Sequence, residues 1–154
     1  MKSAETADAV IDAIESGRYG FIRTNFAGGD MVGHTADIAA TEQAMEAIDH
    51  AIGRVADAAE AAHGCLVITA DHGNAEDMVE RGNDHEPLLD ATGKVQWKTA
   101  HSLNPVIFLV HDYAGRRLSF RGDLPNAGLA NVAATLLELL GFSAPTEYEP
   151  SLLA

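Results

Sequence analysis

Residues 67–76 read Val-Ile-Thr-Ala-Asp-His-Gly-Asn-Ala-Glu. The predicted fold depends on this stretch, because it combines an apolar strand with the first candidate ligands. Their apolar and β-branched beginning indicates a buried strand that ends where Asp71 and His72 begin. In α/β proteins, ligand sites lie at the carboxyl edge of the sheet, to which such a strand delivers the side chains that follow it. One carboxylate and one imidazole are too few for a site, so other segments must supply further ligands.

A strand–helix–strand unit is predicted across residues 19–70. Residues 19–26 are rich in aromatic and β-branched types, as strands are, and a glycine-rich loop is predicted to follow at 27–34. The helix predicted at 35–61 has apolar positions every three or four residues, which make one buried stripe: Ile38, Thr41, Met45, Ile48, Ile52, Val55 and Ala59. Gly64 ends this helix and residues 65–70 form the next strand. Because such units are almost always parallel and right-handed, we expect an α/β fold with a mainly parallel sheet.

The N-terminal residues predict a helix before this unit. Ser3 is expected to cap it, Gly17 to end it, and its apolar positions recur at helical spacing: Ala7, Val10, Ile11 and Ile14. Residues 74–100 carry many charges and turn formers, which indicates a short helix followed by a long loop or small hairpin. Loops of this length in a compact domain are often functional.

The C-terminal third predicts three more elements. Residues 106–110 form an apolar strand after Pro105, and the alternation at 117–121 indicates a short edge strand. A last helix is expected at 128–140, with these residues buried: Leu129, Val132, Ala133, Leu136, Leu137 and Leu140. No composition shift indicates a linker or a second domain.

Composition narrows the choice of partners. The 154 residues include 10 Lys and Arg against 23 Asp and Glu, a net charge of −13. This charge argues against nucleic acid and anionic membrane, since both attract cationic side chains. No apolar run approaches the roughly 20 residues of a membrane span, and the N-terminus lacks the apolar core of a signal peptide, so a cytoplasmic location is expected. The single cysteine, Cys65, is predicted to be a reduced, inert core residue.

Three segments carry the residues that suit a metal ion: Asp30-x-x-x-His34, Asp71-His72 and Thr99-Ala100-His101. Two carboxylates and three imidazoles offer mixed oxygen and nitrogen donors, which suit Mn²⁺ or Zn²⁺ better than Ca²⁺ or a thiolate-bound metal. Each segment alone also fits an ordinary turn or a structural histidine. The predicted parallel sheet would gather them at one edge, where five such residues can bind more than one ion.

Longer stretches carry a family resemblance. Residues 25–35 (NFAGGDMVGHT), 69–76 (TADHGNAE) and 99–106 (TAHSLNPV) closely resemble the cofactor-independent, or 2,3-bisphosphoglycerate-independent, phosphoglycerate mutases of the alkaline phosphatase superfamily. The C-terminal residues 141–152 are also similar to that family. The resemblance implies that residues 1–154 are the C-terminal portion of a three-layer α/β/α phosphatase-like metalloenzyme domain, with no second domain.

The resemblance also implies a centre that binds two Mn²⁺ ions, with Zn²⁺ or another divalent metal left open. By motif position, Asp30, His34 and His101 would bind one ion, and Asp71 and His72 the other. In that family a serine takes the phosphoryl group from 3-phosphoglycerate and returns it to the 2-hydroxyl of glycerate, a step of glycolysis. Paired metals suit this chemistry because they neutralise phosphoryl charge and activate the nucleophile.

Two departures from the family limit the expectation. Family members are several times longer, and no serine of this chain matches the motif of their nucleophile, so the chain alone is expected to be inactive. Ala36 stands where the family usually has glycine, from which only a local effect is expected.

Two alternatives remain open from the sequence. The chain can belong to another enzyme of the superfamily, such as a phosphopentomutase or a phosphatase, because substrate choice resides in residues outside it. It can also be a non-catalytic metal-binding fragment. A missing N-terminal segment would leave a sheet edge or an apolar face open and favour self-association or a partner chain.

Overall fold

The computed structural model describes residues 2–154. Its elements follow the order α1 (Ser3–Glu15), α2 (Gly28–Gly33), α3 (Ile38–Ala61), β1 (Cys65–Thr69), β2 (Phe108–Asp112), a 3-10 turn (Leu129–Asn131) and α4 (Val132–Leu139). Within residues 2–154, no helix is long and apolar enough to cross a bilayer.

The two predicted N-terminal helices are confirmed and pack on each other. Their shared core contains Ala7 and Val10 of α1 and Ala51 and Val55 of α3. The predicted cap of α1 is wrong, because Lys2 holds the cap position and Ser3 is the first helical residue. Helix α3 starts later than predicted: Asp37 caps it by accepting a hydrogen bond of 2.9 Å from the amide of Ala40. Periodicity therefore locates a helix better than it locates its ends.

The buried stripe of α3 follows the prediction only in part. Thr41, Ile48, Val55 and Ala59 are buried, joined by Ala44 and Ala51. Two of the predicted positions, Ile38 and Met45, are 43% exposed. One of these alanines, Ala51, lies in the core shared with α1, where its small side chain allows the two helices to approach closely.

The α/β class is confirmed, but the predicted parallel pairing is wrong within the described residues. Strands β1 and β2 form a two-stranded antiparallel sheet, with Cys65 opposite Asp112 and Thr69 opposite Phe108. The predicted strand at 19–26 does not form, although Ile22 packs against the α1–α3 core. A strand needs a hydrogen-bonding neighbour as well as propensity, and no described segment pairs with residues 19–26.

Residues 78–98, in the connection between the two strands, form a small irregular β structure. Three short segments are joined in a ring: Glu80 N–H donates to Gln96, Leu88 N–H to Glu80 and Gln96 N–H to Leu88, each to the carbonyl oxygen over 2.8–3.0 Å. The small hairpin predicted here is confirmed by antiparallel bridges such as Val79 to Trp97. The predicted short helix is wrong, because these hydrogen bonds occupy the backbone.

The C-terminal elements are shorter than predicted. Strand β2 begins at Phe108 rather than at residue 106, and the predicted strand at 117–121 reduces to one bridge between Phe120 and Leu153. The last helix divides into the 3-10 turn and α4.

The predicted buried face of this last helix is wrong. Leu129 and Leu140 are 48% and 40% exposed, whereas Asn131 and Thr135 are buried. Thr135 Oγ1 accepts a hydrogen bond of 2.9 Å from the amide of Leu152, and Asn131 Nδ2 donates one of 2.7 Å to the carbonyl of Pro150. The C-terminal tail is thus bound to the polar face, and Leu129 and Leu140 stay exposed within residues 2–154.

Candidate metal centre

Helix α2 provides the first part of the site. The residues predicted to form a glycine-rich loop at 27–34 instead form this short helix, with Asp30 inside it and His34 at its C-cap. Residues four apart lie on the same face of a helix. Asp30 Oδ1 accordingly lies 3.2 Å from His34 Nε2.

The other predicted ligands converge on the same carboxylate. His101 Nε2 lies 3.0 Å from Asp30 Oδ1 and 3.2 Å from His34 Nε2. The ring of His72 stacks on that of His101 at a centroid distance of 3.5 Å, and its Nε2 lies 4.0 Å from Asp30 Oδ1. Asp71 stands at the edge, with an 88% exposed side chain and Oδ1 3.6 Å from His72 Nε2. The structure thus brings all five residues together, three of them tightly.

A backbone carbonyl orients His34. Nδ1 of this ring lies 2.5 Å from the carbonyl oxygen of Thr99, in the segment that leads to His101. Since a carbonyl oxygen can only accept, Nδ1 is the donor, and Nε2 is the ring nitrogen that faces Asp30 and His101. Metal-binding histidines usually donate their other ring N–H in this way.

Asn74 joins the loop after β1 to α2. Its buried side chain donates from Nδ2 to Asp30 Oδ1 over 3.1 Å. Its Oδ1 faces Gly33, where a Cβ atom would come within 2.1 Å. Burial raises the pKa of Asp30, but the hydrogen bond from Asn74 and the three nearby imidazoles together hold that pKa below its usual value. Asp30 is therefore an ionised acceptor at neutral pH.

Glu76 joins the loop after β1 to the segment that follows His101. It accepts hydrogen bonds from the amide of Asn74 over 2.7 Å, from the hydroxyl of Ser102, and from Asn104 Nδ2 over 3.1 Å. Burial raises the pKa of Glu76, but these hydrogen bonds together lower it by more, so the net shift of this pKa is downward. The carboxylate is an ionised acceptor that ties two loops together.

The sequence prediction missed these supporting roles. Asn74, Glu76, Ser102 and Asn104 all lie within the quoted motif stretches, two to four positions from a predicted ligand or directly beside one. Two of the four, Asn74 and Ser102, are buried. Their burial and the hydrogen bonds that join the loops identify this role, and neither is visible in the sequence.

The donor set fits a divalent cation. One ligand atom each from Asp30, His34 and His101 lie within 4.8 Å of one another. Their closest separations of 3.0–3.2 Å are those of atoms that share one ion with bonds of about 2.0–2.2 Å. One carboxylate oxygen with imidazole nitrogens is a donor set for transition metals such as Zn²⁺ or Mn²⁺.

Comparison with known proteins agrees with this geometry. Residues 1–144 match the Metalloenzyme superfamily, and the chain belongs to that family. It is 49% identical to the 2,3-bisphosphoglycerate-independent phosphoglycerate mutase of Trypanosoma brucei brucei over 154 residues, and 47% identical to that of Ricinus communis over 157. Each alignment covers 99% of this chain but 28% of the relative.

A solved structure gives the same relationship. The phosphoglycerate mutase of Leishmania mexicana, studied at low cobalt concentration, superposes with a TM-score of 0.96 and 45% identity. The superposition covers 100% of this chain and 28% of that protein. The resemblance predicted from the motifs is therefore confirmed, and the family together with the cluster around Asp30 indicates divalent metal ions.

Proposed function

We propose that this chain is the C-terminal part of the metalloenzyme domain of a 2,3-bisphosphoglycerate-independent phosphoglycerate mutase. The complete protein would be an isomerase that interconverts 3-phosphoglycerate and 2-phosphoglycerate in glycolysis through a phosphoserine. The observation that carries the proposal is the convergence of His34 and His101 on Asp30, in a chain similar to such mutases along almost all of its length. The cytoplasmic location expected from the sequence stays a prediction.

Five residues are proposed as metal ligands. Asp30, His34 and His101 would hold one Mn²⁺, and Asp71 and His72 a second, with Zn²⁺ or another divalent ion as the alternative. Bound ions of this kind neutralise phosphoryl charge and lower the pKa of a hydroxyl nucleophile. The side chains prepare this centre: Asp30 places a negative charge between the imidazoles, and the carbonyl of Thr99 orients the ring of His34 so that its Nε2 faces Asp30.

The nucleophile is proposed to come from another part of the complete protein. Ser102 is the serine that directly follows a proposed ligand, but its side chain is buried and its hydroxyl donates to Glu76. A hydroxyl bound in this way positions a loop and does not attack a phosphoryl group. The chain alone should therefore form no 2-phosphoglycerate from 3-phosphoglycerate and Mn²⁺, and measurable turnover would contradict this part of the proposal.

Uncovered apolar surface supports a need for a further segment or a partner. Tyr19 and Phe21 in the unpaired segment 19–26 are 56% and 53% exposed, and Leu129 and Leu140 are also open. Exposed apolar surface next to an unpaired segment of backbone favours association. We propose that the rest of the complete mutase covers these surfaces and that the chain alone self-associates. A stable, monodisperse monomer in light scattering would count against it.

A chimera tests the mutase proposal. Replacing the corresponding segment of the Leishmania mexicana phosphoglycerate mutase with this chain should give an enzyme that converts 3-phosphoglycerate to 2-phosphoglycerate. The same chimera with His34→Ala should lose that activity, whereas the matched change His50→Ala, on an exposed position of α3, should retain it. A folded chimera without mutase activity would contradict the proposal.

A further inference from the structure

The carboxylate of Glu76 lies where two loops of the site meet. Its Oε2 accepts from the backbone of Asn74, on its own loop, and its Oε1 accepts from the side chains of Ser102 and Asn104, on the other. Ser102 directly follows His101 in the chain. One side chain therefore connects the loop that carries His72 to the segment that carries His101.

The packing beneath this carboxylate is close. A Cβ atom on Gly73 would lie 2.3 Å from Glu76 Oε1 and 2.2 Å from Ser102 Oγ. Gly73 and Ser102 also form an antiparallel bridge, in which the amide of Ser102 donates to the carbonyl of Gly73 over 2.9 Å. The glycine thus lets Glu76 lie directly over the point where the loops pair.

We propose that Glu76 is a positioning residue, which locks the loop of His72 against the loop of His101 and so keeps their rings stacked before any ion binds. The link to metal binding rests on the proposed function, in which both histidines are ligands. Glu76 would act through three donors: the Asn74 backbone N–H, the Ser102 hydroxyl and the Asn104 side-chain amide. The residue that supplies the first of these, Asn74, also contacts Asp30 through its side chain. The three donors approach Glu76 on both of its oxygens, and glutamate offers two acceptor oxygens whereas glutamine offers one.

Two variants separate the role of the carboxylate from its bulk. Glu76→Ala removes all three acceptor contacts. Glu76→Gln can keep an oxygen towards Ser102 and Asn104 but places an NH₂ group against the amide of Asn74. Asn131→Ala is the control for a general loss of stability, since Asn131 is a buried side chain that bridges Gly128 to Pro150 without contact to the site.

The first readout is independent of metal. In the metal-free chain, NMR cross-peaks between the ring protons of His72 and His101 should be present in the wild type and in Asn131→Ala, weakened in Glu76→Gln and lost in Glu76→Ala. A general loss of stability would affect Asn131→Ala as well, so the difference reports on positioning. Should Glu76→Ala fail to fold, Glu76→Gln decides, because it preserves the shape of the side chain.

The second readout is Co²⁺ binding, followed by visible absorption. Loss of a group that orients metal ligands typically costs about 10- to 100-fold in affinity, and we expect this loss for Glu76→Ala, a smaller loss for Glu76→Gln and none for Asn131→Ala. Wild-type cross-peaks in both Glu76 variants would overturn the positioning role. If the wild-type chain bound no Co²⁺, the proposed metal function would fail, while the cross-peaks would still decide the role of Glu76.

Discussion

The side-chain amide of Asn74 donates to the carboxylate of Asp30 over 3.1 Å, which joins the loop after β1 to α2 through one buried contact. The other end of the same amide rests on Gly33, in the turn between Asp30 and His34. Helical spacing sets the positions of Asp30 and His34, and the side chain of Asn74 links this helix to the loop of Asp71 and His72. Gly33 leaves the space that the Asn74 side chain occupies, so this contact requires a glycine at position 33.

Gly33→Ala should disrupt this contact. The new Cβ would meet Asn74 Oδ1 at 2.1 Å and Cγ at 2.8 Å, and overpacking at a buried position typically costs about 1–3 kcal/mol. Urea denaturation measures the loss. Gly53→Ala is the control, because a Cβ at this helical position meets nothing within 4 Å and should stabilise the chain by about 0.5–1 kcal/mol. Equal stability of the Gly33 variant and the wild type would contradict the contact.

Ala36→Gly should stabilise the protein. Ala36 has a φ of +60°, in the left-handed region that disfavours residues with a Cβ atom. The sequence showed alanine where the resembling family has glycine, and the structure supplies the physical reason for that preference. Relief of this strain should add about 1 kcal/mol to the free energy of unfolding. Ala47→Gly, on the exposed face of α3, should instead lose about 0.5–1 kcal/mol; a loss in both variants would rule out strain at Ala36.

Stability should fall in acid partly through Asp112. Hydrogen bonds from the side chain of Arg116, at 2.9 Å and 2.6 Å, hold the pKa of Asp112 below its usual value. A carboxyl group with a lowered folded-state pKa contributes stability above its unfolded pKa of about 3.9 and loses it as the pH falls through the folded value. Between pH 7 and pH 3, the wild type should therefore lose more stability in urea than Asp112→Asn. Parallel losses in the two proteins would contradict the role of this pair.

Cys65 should react slowly in the folded chain. It is half-buried at the start of β1, and burial is the main cause that raises the pKa of its thiol. The thiolate is the reactive form, so a raised pKa and restricted access both slow modification. A disulfide reagent at pH 8 should modify the native chain more slowly than the urea-unfolded chain. Equal rates would show that the thiol is open.

Local sequence predicted the helices α1 and α3 and the strand β1, because their periodicity and glycine stops act within a few residues. The strand expected at 19–26 could not be predicted correctly, since strand formation depends on a neighbour that these residues do not specify. The same holds for α4, where hydropathy favoured the leucine face but the C-terminal tail binds Asn131 and Thr135 instead. Nothing in the composition of α4 indicates those hydrogen bonds.

The sequence predicted correctly that the five candidate ligands lie together, but the reason for the prediction was only partly correct. A parallel sheet edge was expected to gather them, whereas β1 and β2 are antiparallel. Helical spacing within α2 and the polar contacts of Asn74 and Glu76 hold them together instead. Short-range helix geometry was visible in the Asp30-x-x-x-His34 spacing, but contacts across 40 or more residues, as between Asn74 and Asp30, become visible only in the structure.

Calorimetric titration of the chain with Mn²⁺ tests the central claim most directly. If Asp30, His34 and His101 form a metal site, the wild-type chain should bind Mn²⁺ saturably. His34→Ala should lose this binding, and His50→Ala, on an exposed position of α3, should retain it. At a Mn²⁺ concentration 100 times the dissociation constant, binding should also stabilise the fold by about 2.7 kcal/mol. Absence of binding to the wild type, or unchanged binding in His34→Ala, would contradict the claim.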